Sequence, residues 1–400
     1  MSFFSGVFNT TTNPAELNVR SFAGTMLRLF PNGSFPLWGL LSQQPKSTAK
    51  SSTHGYFSKT LQFAATTSNG INLAAVTNYV VAASAGLTPG MVLYNPRSRE
   101  NMRITAIVDG THITVARAFG RVAASDSVAG DPLIVIGGAF EEGSARPTPR
   151  GMTTVYVPNF TQIFRNAWAV TDTARASLTE QGFGNVQENR KDCSILHSVD
   201  CESAIFFGQP LAPATGVTGP LHATQGIYDA IDQYAPANTN AAGGTTTFAQ
   251  LVALVEPAFL YSTDQGNTKE RIAFVGATAN KVLNDIGHLY GQIMISQSET
   301  SFGMQFTKFK FYKGSINIVE HPLFNTNAAL SKLMVVLELA AIKLAFMNGR
   351  DTKSEEFGGD GKNNAGGADS VGGSLTSEFA VEYINPFSGC VIENLTAAAA

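Results

Sequence analysis

One long helical pattern stands among many short strand-like segments, and this mixture sets the fold class. Residues 188–208 place apolar side chains at helical spacing, Gly208 ends the pattern and Pro210 follows, the usual order at a helix C-terminus. Elsewhere apolar and polar residues alternate over short runs, which favours β-strands. The sequence therefore predicts an α+β protein, and 400 residues are enough for two or three packed units.

Residues 70–137 are predicted to form a compact β unit. Apolar residues alternate with polar ones over 102–108, and Asp109-Gly110 is typical of a two-residue hairpin turn. Two further strands, at 89–94 and 130–136, are each entered through a turn.

The remaining regular segments are predicted from amphipathic spacing and alternation. We expect helices at 224–234 and 247–261, a helix capped by Thr278, and strands at 271–275, 304–312, 316–320, 333–337, 379–383 and 391–392. The side chains predicted to face inward on the Thr278-capped helix are Ala279, Val282, Leu283 and Ile286. Those on the helix 188–208 are Cys193, Leu196, Val199, Ser203 and Phe206. Residues 351–374 are rich in Gly, Asp and Asn and are predicted to form a loop.

The chain carries few charges for its length. Charged side chains make up 14% of its residues, against about 25% in typical soluble domains, and glycine is frequent. Neutral surface costs little to desolvate, so this composition favours contact with other protein chains. The formal net charge of −3 argues against tight sequence-independent DNA binding, which depends on Lys and Arg. The charge is uneven, because residues 1–60 hold five basic side chains against one acidic one.

Three sparse cysteines, Cys193, Cys201 and Cys390, do not form a disulfide framework. On one helix, Cys193 and Cys201 would lie about 12 Å apart, too far for a bridge. They indicate buried, reduced thiols in a cytoplasmic product. The N-terminus lacks the features of a secretion signal, and Glu338 and Lys343 interrupt the most apolar run, 333–346, so no membrane span is predicted.

Residues 1–36 predict an extended arm. The segment is rich in Asn, Thr, Gly and Pro, yet it holds more phenylalanines than a disordered tail usually carries. The segment is either a disordered tail or an arm that is ordered by packing on a neighbouring subunit, and we favour the arm. The charged, proline-marked residues 138–165 predict one limb of a long projecting hairpin, whose other limb would lie near 56–65.

Motifs for nucleotide and metal chemistry are missing from the sequence. Gly182-Phe183-Gly184 lacks the third glycine of a dinucleotide loop, and Asn363 stands where a phosphate loop needs Ser or Thr. The six histidines are scattered, without HExxH or CxxC spacing. His197 and Cys201 are four residues apart and allow a thiolate pair. We favour the alternative, an ordinary helix surface beside a small apolar side chain.

Glu141-Glu142 is the remaining candidate for acid–base chemistry. Adjacent residues on a strand point to opposite sides, so the two carboxylates could not address one substrate. Ion pairing with Arg or Lys of another subunit is the preferred interpretation. No GxSxG elbow occurs, and the two tryptophans, Trp38 and Trp168, lie outside the β unit that a carbohydrate platform would need. The sequence predicts no enzyme activity, no cofactor and no metal site.

Several short motifs follow one another in a fixed order along nearly the whole chain. They are Arg20-Ser21-Phe22-Ala23-Gly24-Thr25, Pro89-Gly90-Met91-Val92-Leu93, Glu100-Asn101-Met102-Arg103-Ile104, Thr114-Val115-Ala116-Arg117, Glu142-Gly143, Asn159-Phe160-Thr161-Gln162-Ile163-Phe164-Arg165, Asp200 to Gly208, Thr224-Gln225-Gly226-Ile227, Glu378 to Glu382 and Asn385-Pro386. In this order they resemble the major capsid proteins of tailed bacteriophages with the Hong-Kong-97-type fold, in a branch with a small inserted β domain.

The resemblance implies a division of the chain into named parts. These are an N-terminal arm (1–36), an extended loop (37–69 and 138–165), an inserted β-barrel-like domain (70–137), a peripheral domain (166–211 and 331–400) with a spine helix at 188–208, and an axial α/β domain (212–330). This chain starts directly at the arm, so scaffolding is expected from a separate protein.

The resemblance further implies self-assembly into pentamers and hexamers of an icosahedral head shell that encloses double-stranded DNA non-specifically. Portal, scaffolding and decoration proteins are further partners, membranes are not, and the virion is assembled in the bacterial cytoplasm. The candidate intersubunit contacts are Phe3, Phe4, Phe8, Arg20, Phe22, Arg28, Glu141, Glu142, Arg146 and Arg150. The main alternative is another virion structural protein, such as a tail, baseplate or cement protein; a secreted binding module or hydrolase is the second.

Overall fold

The computed structural model describes residues 36–59, 65–147, 149, 151, 153–177, 186–262, 269–289, 299–301, 304–357 and 369–398. These residues fall into two compact units, which divide the chain after Tyr56 and after Tyr156. Unit 2 is the continuous segment between those points, and unit 1 is made of the segments on either side.

Helices and strands alternate irregularly along the chain, as expected for an α+β fold. The helices of the described residues are α1 (Pro36–Gln43), α2 (Asp172–Ala176), α3 (Val186–Phe207), α4 (Ile227–Tyr234), α5 (Phe248–Val255) and α6 (Ala277–Leu289). The first strands are β1 (Ser47–Ala49), β2 (Thr53–Ser58), β3 (Ala65–Thr67), β4 (Asn78–Val80), β5 (Met91–Tyr94), β6 (Asn101–Ile107), β7 (His112–Ala116), β8 (Pro132–Gly138), β9 (Val155–Phe160) and β10 (Gln162–Thr171). The later strands are β11 (Leu211–Thr215), β12 (Pro220–Ala223), β13 (Thr239–Ala241), β14 (Thr245–Thr246), β15 (Glu270–Val275), β16 (Glu299–Ser301), β17 (Met304–Lys310), β18 (Ser315–Glu320), β19 (Met334–Leu337), β20 (Ile342–Met347), β21 (Lys353–Phe357), β22 (Ser370–Tyr383), β23 (Cys390–Glu393) and β24 (Ala397–Ala398).

Unit 1 is built on two sheets. The seven-stranded sheet has the order β13-β23-β19-β15-β18-β17-β16, with β15 parallel to β18 and antiparallel to β19. The five-stranded sheet has the order β1-β20-β22-β10, and β21 also pairs with β22. The chain after residue 331 therefore supplies strands to both sheets. The boundary expected at that residue stays a prediction.

Two hydrophobic cores of unit 1 lie on opposite faces of the seven-stranded sheet, because successive side chains of its strands point to opposite faces. On β15, Phe274 packs in a core with α1, α3, α4 and the five-stranded sheet, whereas Ala273 and Val275 pack in a second core with α5 and α6. Neighbouring side chains of a strand point to opposite faces, so one sheet serves both cores. Burying one large apolar side chain such as Phe206 stabilises the fold by about 1.5–3 kcal/mol.

Unit 2 contains a closed β-barrel. Its six strands follow the order β3-β8-β5-β6-β7-β4. The first and last strands of this order also meet, because the N–H of Ala82 donates to Thr67 O at 2.9 Å and a bridge joins Ser68 to Val81. Closure leaves the barrel without a free sheet edge at this seam. Gly90 and Gly130, both with positive φ, form the turns that were predicted before β5 and β8.

The predicted two-residue turn at Asp109-Gly110 is wrong in its length. Strand β6 ends at Ile107 and β7 begins at His112, so four residues connect them. The Asp109 carboxylate accepts hydrogen bonds from the backbone N–H groups of Thr111 and His112, each at 2.7 Å, and thereby closes the wider loop. The hairpin itself is confirmed by the antiparallel pairing of β6 and β7.

The long helix is confirmed, but part of its predicted buried face is wrong. Helix α3 spans 22 residues and ends at Phe207, just before Gly208. Cys193 and Phe206 are buried as expected, whereas Leu196 is 58% exposed. The buried face of α3 instead contains His197, Cys201 and Ile205. His197 can be buried because polar side chains on β10 and β22 form hydrogen bonds with its ring nitrogens. Apolarity alone could not reveal this face.

Two further expectations need correction. Thr278 lies inside α6 rather than at its cap, and its hydroxyl is 3.0 Å from that of Ser331. The four side chains predicted to face inward on α6 are all buried.

Residues 353–357 and 370–374, predicted as loop, belong to strands β21 and β22, which pair with each other from Lys353↔Thr376 to Phe357↔Gly372. Backbone pairing holds these polar, glycine-rich residues in the sheet without an apolar pattern.

Candidate assembly surfaces

Most of the sequence-predicted contact residues lie outside the described residues. These are Phe3, Phe4, Phe8, Arg20, Phe22, Arg28 and Arg150. Glu141, Glu142 and Arg146 are described, and all three are exposed in the segment that follows β8. Their role between subunits therefore stays a prediction.

Glu141 and Glu142 lie in a turn, not in a strand as expected. Gly143 has φ 72°, and Ser144 N–H donates to Glu141 O at 3.1 Å. The argument from strand alternation does not apply to them. Glu141 also has an ion-pair partner within its own unit, since one of its carboxylate oxygens lies 3.6 Å from an Arg103 guanidinium nitrogen. An exposed pair of this kind contributes little to stability, so Glu141 can exchange partners readily.

An exposed aromatic pair lies on the two-stranded sheet formed by β2 and β9. The rings of Phe57 and Tyr156 are 5.1 Å apart, and Phe57 is 73% exposed. Val155, beside Tyr156, is 60% exposed. Large rings dominate the energetics of protein–protein contacts because they bury much area with few rotatable bonds. This strand pair thus offers an apolar contact surface.

The hairpin β11–β12 is a second such surface. Every residue of β11 is exposed, and the segment 208–228 contains no Asp, Glu, Lys or Arg. Its apolar side chains Leu221 and Val217 are 60% and fully exposed, respectively. An exposed apolar hairpin without charges has a low desolvation cost on contact with another protein chain.

A third exposed apolar surface lies where the turn after α5 contacts the turn before β23. Tyr261 and Phe387 have ring centroids 5.5 Å apart, and Leu260 beside them is 59% exposed. The three contact surfaces are formed by separate segments of the chain. A subunit with several such surfaces can contact more than one neighbour.

Motif residues that are far apart in sequence meet in a buried polar network of unit 1. Asn159 Nδ2 donates to Val381 O at 2.6 Å, and Asn159 Oδ1 accepts from Gln225 N at 2.7 Å. Thr224 Oγ1 in turn accepts from Val381 N at 3.0 Å. These bonds fasten β9 and the segment before α4 to β22. The motifs of the resemblance thus include residues that fix the relative positions of strands.

Two glycines complete this arrangement through close backbone approach. Gly226 N–H donates to Gly208 O at 2.8 Å, just after the end of α3. A Cβ at Gly208 would lie 2.5 Å from Thr224 O, and a Cβ at Gly226 would lie 2.6 Å from Gly208 N. Only glycine fits at either position without displacing backbone.

A buried ion pair holds the loops of the barrel. Glu100, 1% exposed, accepts hydrogen bonds from Arg117 Nε and Nη2 at 2.8 Å and from the backbone N–H groups of Ala118 and Ser125. Burial alone would raise the pKa of Glu100, but these hydrogen bonds outweigh it and hold the pKa below its ordinary value. Glu100 and Arg117 both belong to motifs that carry the resemblance, but the sequence does not predict that they pair.

A second acid, Glu382 on β22, fastens β2 to the five-stranded sheet. His54 Nε2 lies 2.8 Å from a Glu382 carboxylate oxygen, and this hydrogen bond lowers the pKa of Glu382 below its usual range. His54, Tyr56 and Glu382 line one small cavity. Burial raises the pKa of the Tyr56 hydroxyl above its ordinary value. The cavity has a volume of about 20 Å³, enough for roughly one water molecule.

The favoured interpretation of His197 as an ordinary surface residue is wrong. His197 is 3% exposed, and its ring nitrogens lie 2.7 Å from Asn166 Oδ1 and 2.8 Å from Ser377 Oγ. Burial lowers its pKa, so the ring is held neutral. Burial raises the pKa of Cys201 to about 12, so no thiolate pair forms and the cysteine is a small apolar side chain.

Groups of His, Cys, Asp and Glu side chains suited to a metal ion are absent from the part of the chain that the structure describes. An open groove of about 410 Å³ lies along α6, lined by Lys281, Asp285 and Thr396 among others. No helix in the described ranges is long and apolar enough to cross a bilayer.

The exposed apolar surfaces indicate a protein whose surface is suited to contact with other protein chains. Comparison with known proteins gives the particular family. The model of the family "SU10 major capsid protein" matches residues 6–396. The major capsid protein of Pseudomonas phage PaMx41 is 48% identical over 403 residues, which covers 98% of this chain and 96% of that protein. This chain belongs to the SU10 major capsid protein family, and it is a phage major capsid protein and a virion component.

Solved structures that match this chain include one from a Mycobacterium phage and an encapsulin. A chain of Mycobacterium phage Cain is 11% identical, with coverage of 96% of this chain and 97% of that chain and a TM-score of 0.46. The SrpI encapsulin of Synechococcus elongatus PCC 7942 is 9% identical, with coverage of 62% and 80% and a TM-score of 0.43. The mixture of helices and strands expected for this chain is confirmed by its own elements.

Proposed function

We propose that this major capsid protein assembles with copies of itself, as pentamers and hexamers, into the closed icosahedral head shell of a tailed phage. The shell encloses double-stranded DNA, which it holds without sequence preference. The observation that carries the proposal is the uncharged hairpin β11–β12, whose apolar side chains lie in solvent in a single chain. Neighbouring copies in a closed shell would cover such surfaces.

The proposed subunit has the Hong-Kong-97-type arrangement of parts. Helix α3 would act as the spine of a peripheral domain (166–211 and 331–400), and residues 212–330 would form the axial domain. The closed barrel supports the assignment of 70–137 as an inserted domain. The pairing of β2 with β9 supports an extended loop drawn from 37–69 and 138–165. Residues 1–36 would be the arm that reaches a neighbouring copy.

Several weak contacts made together can give a strong shell. One contact of standard size often yields only micromolar affinity. When each copy contacts several neighbours, every further contact forms at a high effective concentration. Three separate apolar surfaces on one subunit support this mode of assembly.

Further expectations follow from the same proposal. Assembly takes place in the bacterial cytoplasm, which the buried free cysteines support. Portal, scaffolding and decoration proteins are partners, and the chain itself catalyses no reaction. Membership of the major capsid protein family excludes the alternative of a tail, baseplate or cement role.

Expression of the full chain tests the proposal. We expect closed, hollow particles in negative-stain electron micrographs and a fast sedimenting peak. A chain that stays monomeric at high concentration would contradict the proposal, and open tubes alone would contradict a closed shell.

A further inference from the structure

A carboxylate and a histidine are buried together at the beginning of α1. Glu202 on α3 is 1% exposed, and His321, just after β18, is fully buried. Glu202 Oε1 accepts two hydrogen bonds, one from Leu37 N at 3.0 Å and one from His321 Nε2 at 2.6 Å. One oxygen atom thus joins α1, α3 and the turn that follows β18.

The surrounding hydrogen bonds assign the protons of this group. Leu323 N–H donates to His321 Nδ1 at 3.2 Å, so Nδ1 carries a lone pair and Nε2 carries the proton. The imidazole is therefore a neutral donor and Glu202 is its acceptor. The rings of Phe206, Phe274 and Phe324 lie 4.9 to 5.6 Å from the imidazole. In such apolar surroundings a carboxylate depends strongly on the donors it has.

The same oxygen binds the first backbone donor of α1. Pro36, where the helix begins, has no N–H, so the N–H of Leu37 is the first that α1 offers. A carboxylate at this end also interacts favourably with the helix dipole. Leu37, Leu40 and Leu41 are buried in the core below, so most of α1 is held by apolar packing as well. Glu202 therefore acts on the first turn rather than on the whole helix.

We propose that Glu202 and His321 are positioning residues for assembly. They fix the first turn of α1 and, with it, the position of Pro36, to which residue 35 is joined covalently. The inference rests on the proposed function, which assigns residues 1–35 to contact with a neighbouring copy. It adds the two side chains that control where this contact begins.

Three variants of the full chain test the proposal. Glu202→Leu removes the acceptor, Glu202→Gln retains a carbonyl oxygen for the two donors, and Lys191→Leu places a leucine on the exposed side of the same helix as a control. Hydrogen exchange of peptides from Pro36–Gln43 reports on α1, peptides from α3 and β18 report on the fold, and sedimentation reports on particle yield.

We expect Glu202→Leu to raise the exchange rate at the start of α1 about tenfold, as loss of one charge-assisted hydrogen bond implies, and to lower particle yield by a similar factor. Exchange in α3 and β18 should rise less than exchange at the start of α1, although His321 Nε2 also loses its acceptor. Glu202→Gln should retain more protection of α1 and a higher particle yield than Glu202→Leu, although its NH2 group takes the place of a buried oxygen that has no donor among the described residues. Lys191→Leu should resemble the original chain in both measurements.

Two results would overturn the inference: normal particle yield from Glu202→Leu with a released α1, or unchanged protection of α1. If Glu202→Leu does not fold, His321→Phe removes one of the two donors to Glu202, together with the acceptor of Leu323 N–H. Loss of particles from this variant without any change in α1 would also contradict the proposal. If the original chain forms no particles, the proposed function fails instead, so the two failures are distinguishable.

Discussion

Single charged residues inside this protein are held by several donors at once. Glu100 in the barrel receives four hydrogen bonds, and Glu378 on β22 receives one from the Thr161 hydroxyl at 3.0 Å while Arg350 Nε lies 2.7 Å away. A buried carboxylate with this many donors is tolerated, but removing its charge leaves the partner uncompensated. Such residues are therefore the most sensitive single positions of the fold.

Glu100→Gln is expected to destabilise the barrel by about 3–5 kcal/mol, because Arg117 keeps a buried charge without its counterion. The native pKa of Glu100 is lowered, so its contribution is present above the unfolded-state pKa and is lost as the pH falls through the native value. The variant should lack this acid dependence. Hydrogen exchange in β6 and β7 measures both effects.

The matched control for Glu100 is Glu356→Gln. Glu356 pairs with Arg190 at 2.7 Å, but both side chains are about half exposed, so we expect a loss below about 1 kcal/mol. Equal losses from the two variants would contradict the role given to burial.

Reversing the charges of Glu141, Glu142, Arg146 and Arg150 together should lower particle yield and heat resistance, because these residues are predicted to pair across subunits. Sedimentation after stepwise heating measures both. Arg103→Gln serves as a control, since it removes the partner of Glu141 within the same unit, together with a hydrogen bond to Ala139 O at 2.9 Å. Unchanged particles after the fourfold reversal would refute the assignment.

At the scale of elements, local pattern predicted some features well and others poorly. Helix α3, the strands β15 and β19 and the hairpin β17–β18 follow from apolar spacing and turn residues close together in sequence. The buried side of α3 does not, because His197 finds Asn166 and Ser377 from distant strands. Likewise β21 is set by its pairing with β22.

The candidate surfaces were less predictable than the elements. The low charge content indicated contact with other chains, but not which side chains are exposed. Exposure of Phe57 and Leu221 depends on the packing of the whole unit. The sequence indicated charged residues such as Glu141 and aromatic and basic residues of the arm, and none of these belongs to the three apolar surfaces. The pairing of Glu100 with Arg117 spans 17 residues and needs the barrel to bring them together.

The hairpin β11–β12 should matter for assembly and not for folding. We expect Leu221→Glu to change the free energy of unfolding by less than about 0.5 kcal/mol, since the side chain is 60% exposed, while lowering particle yield several-fold. Leu221→Gln, polar but neutral, should have a smaller effect on yield. Sedimentation measures the yield and hydrogen exchange the stability; normal particles from Leu221→Glu would exclude the hairpin from the contacts.

At the scale of the whole molecule, the arm and the folded units are expected to have separate roles. Deleting residues 1–30 removes no residue of α1 or of the described hydrophobic cores. We expect a subunit that folds but closes no shells, because the contacts assigned to the arm are missing. Negative-stain microscopy checks the particles and hydrogen exchange checks the fold. Normal particles from the shortened chain would show that the arm is dispensable.

The order of strands in unit 1 has a consequence for synthesis on the ribosome. Strand β15 pairs with β19, and β23 borders β19 on its other side, so residues near 334 and 391 must emerge before this sheet is complete. The five-stranded sheet likewise waits for β22. Unit 2, by contrast, is one continuous segment that can fold early in translation. A nascent chain can thus carry a finished barrel while unit 1 is still incomplete.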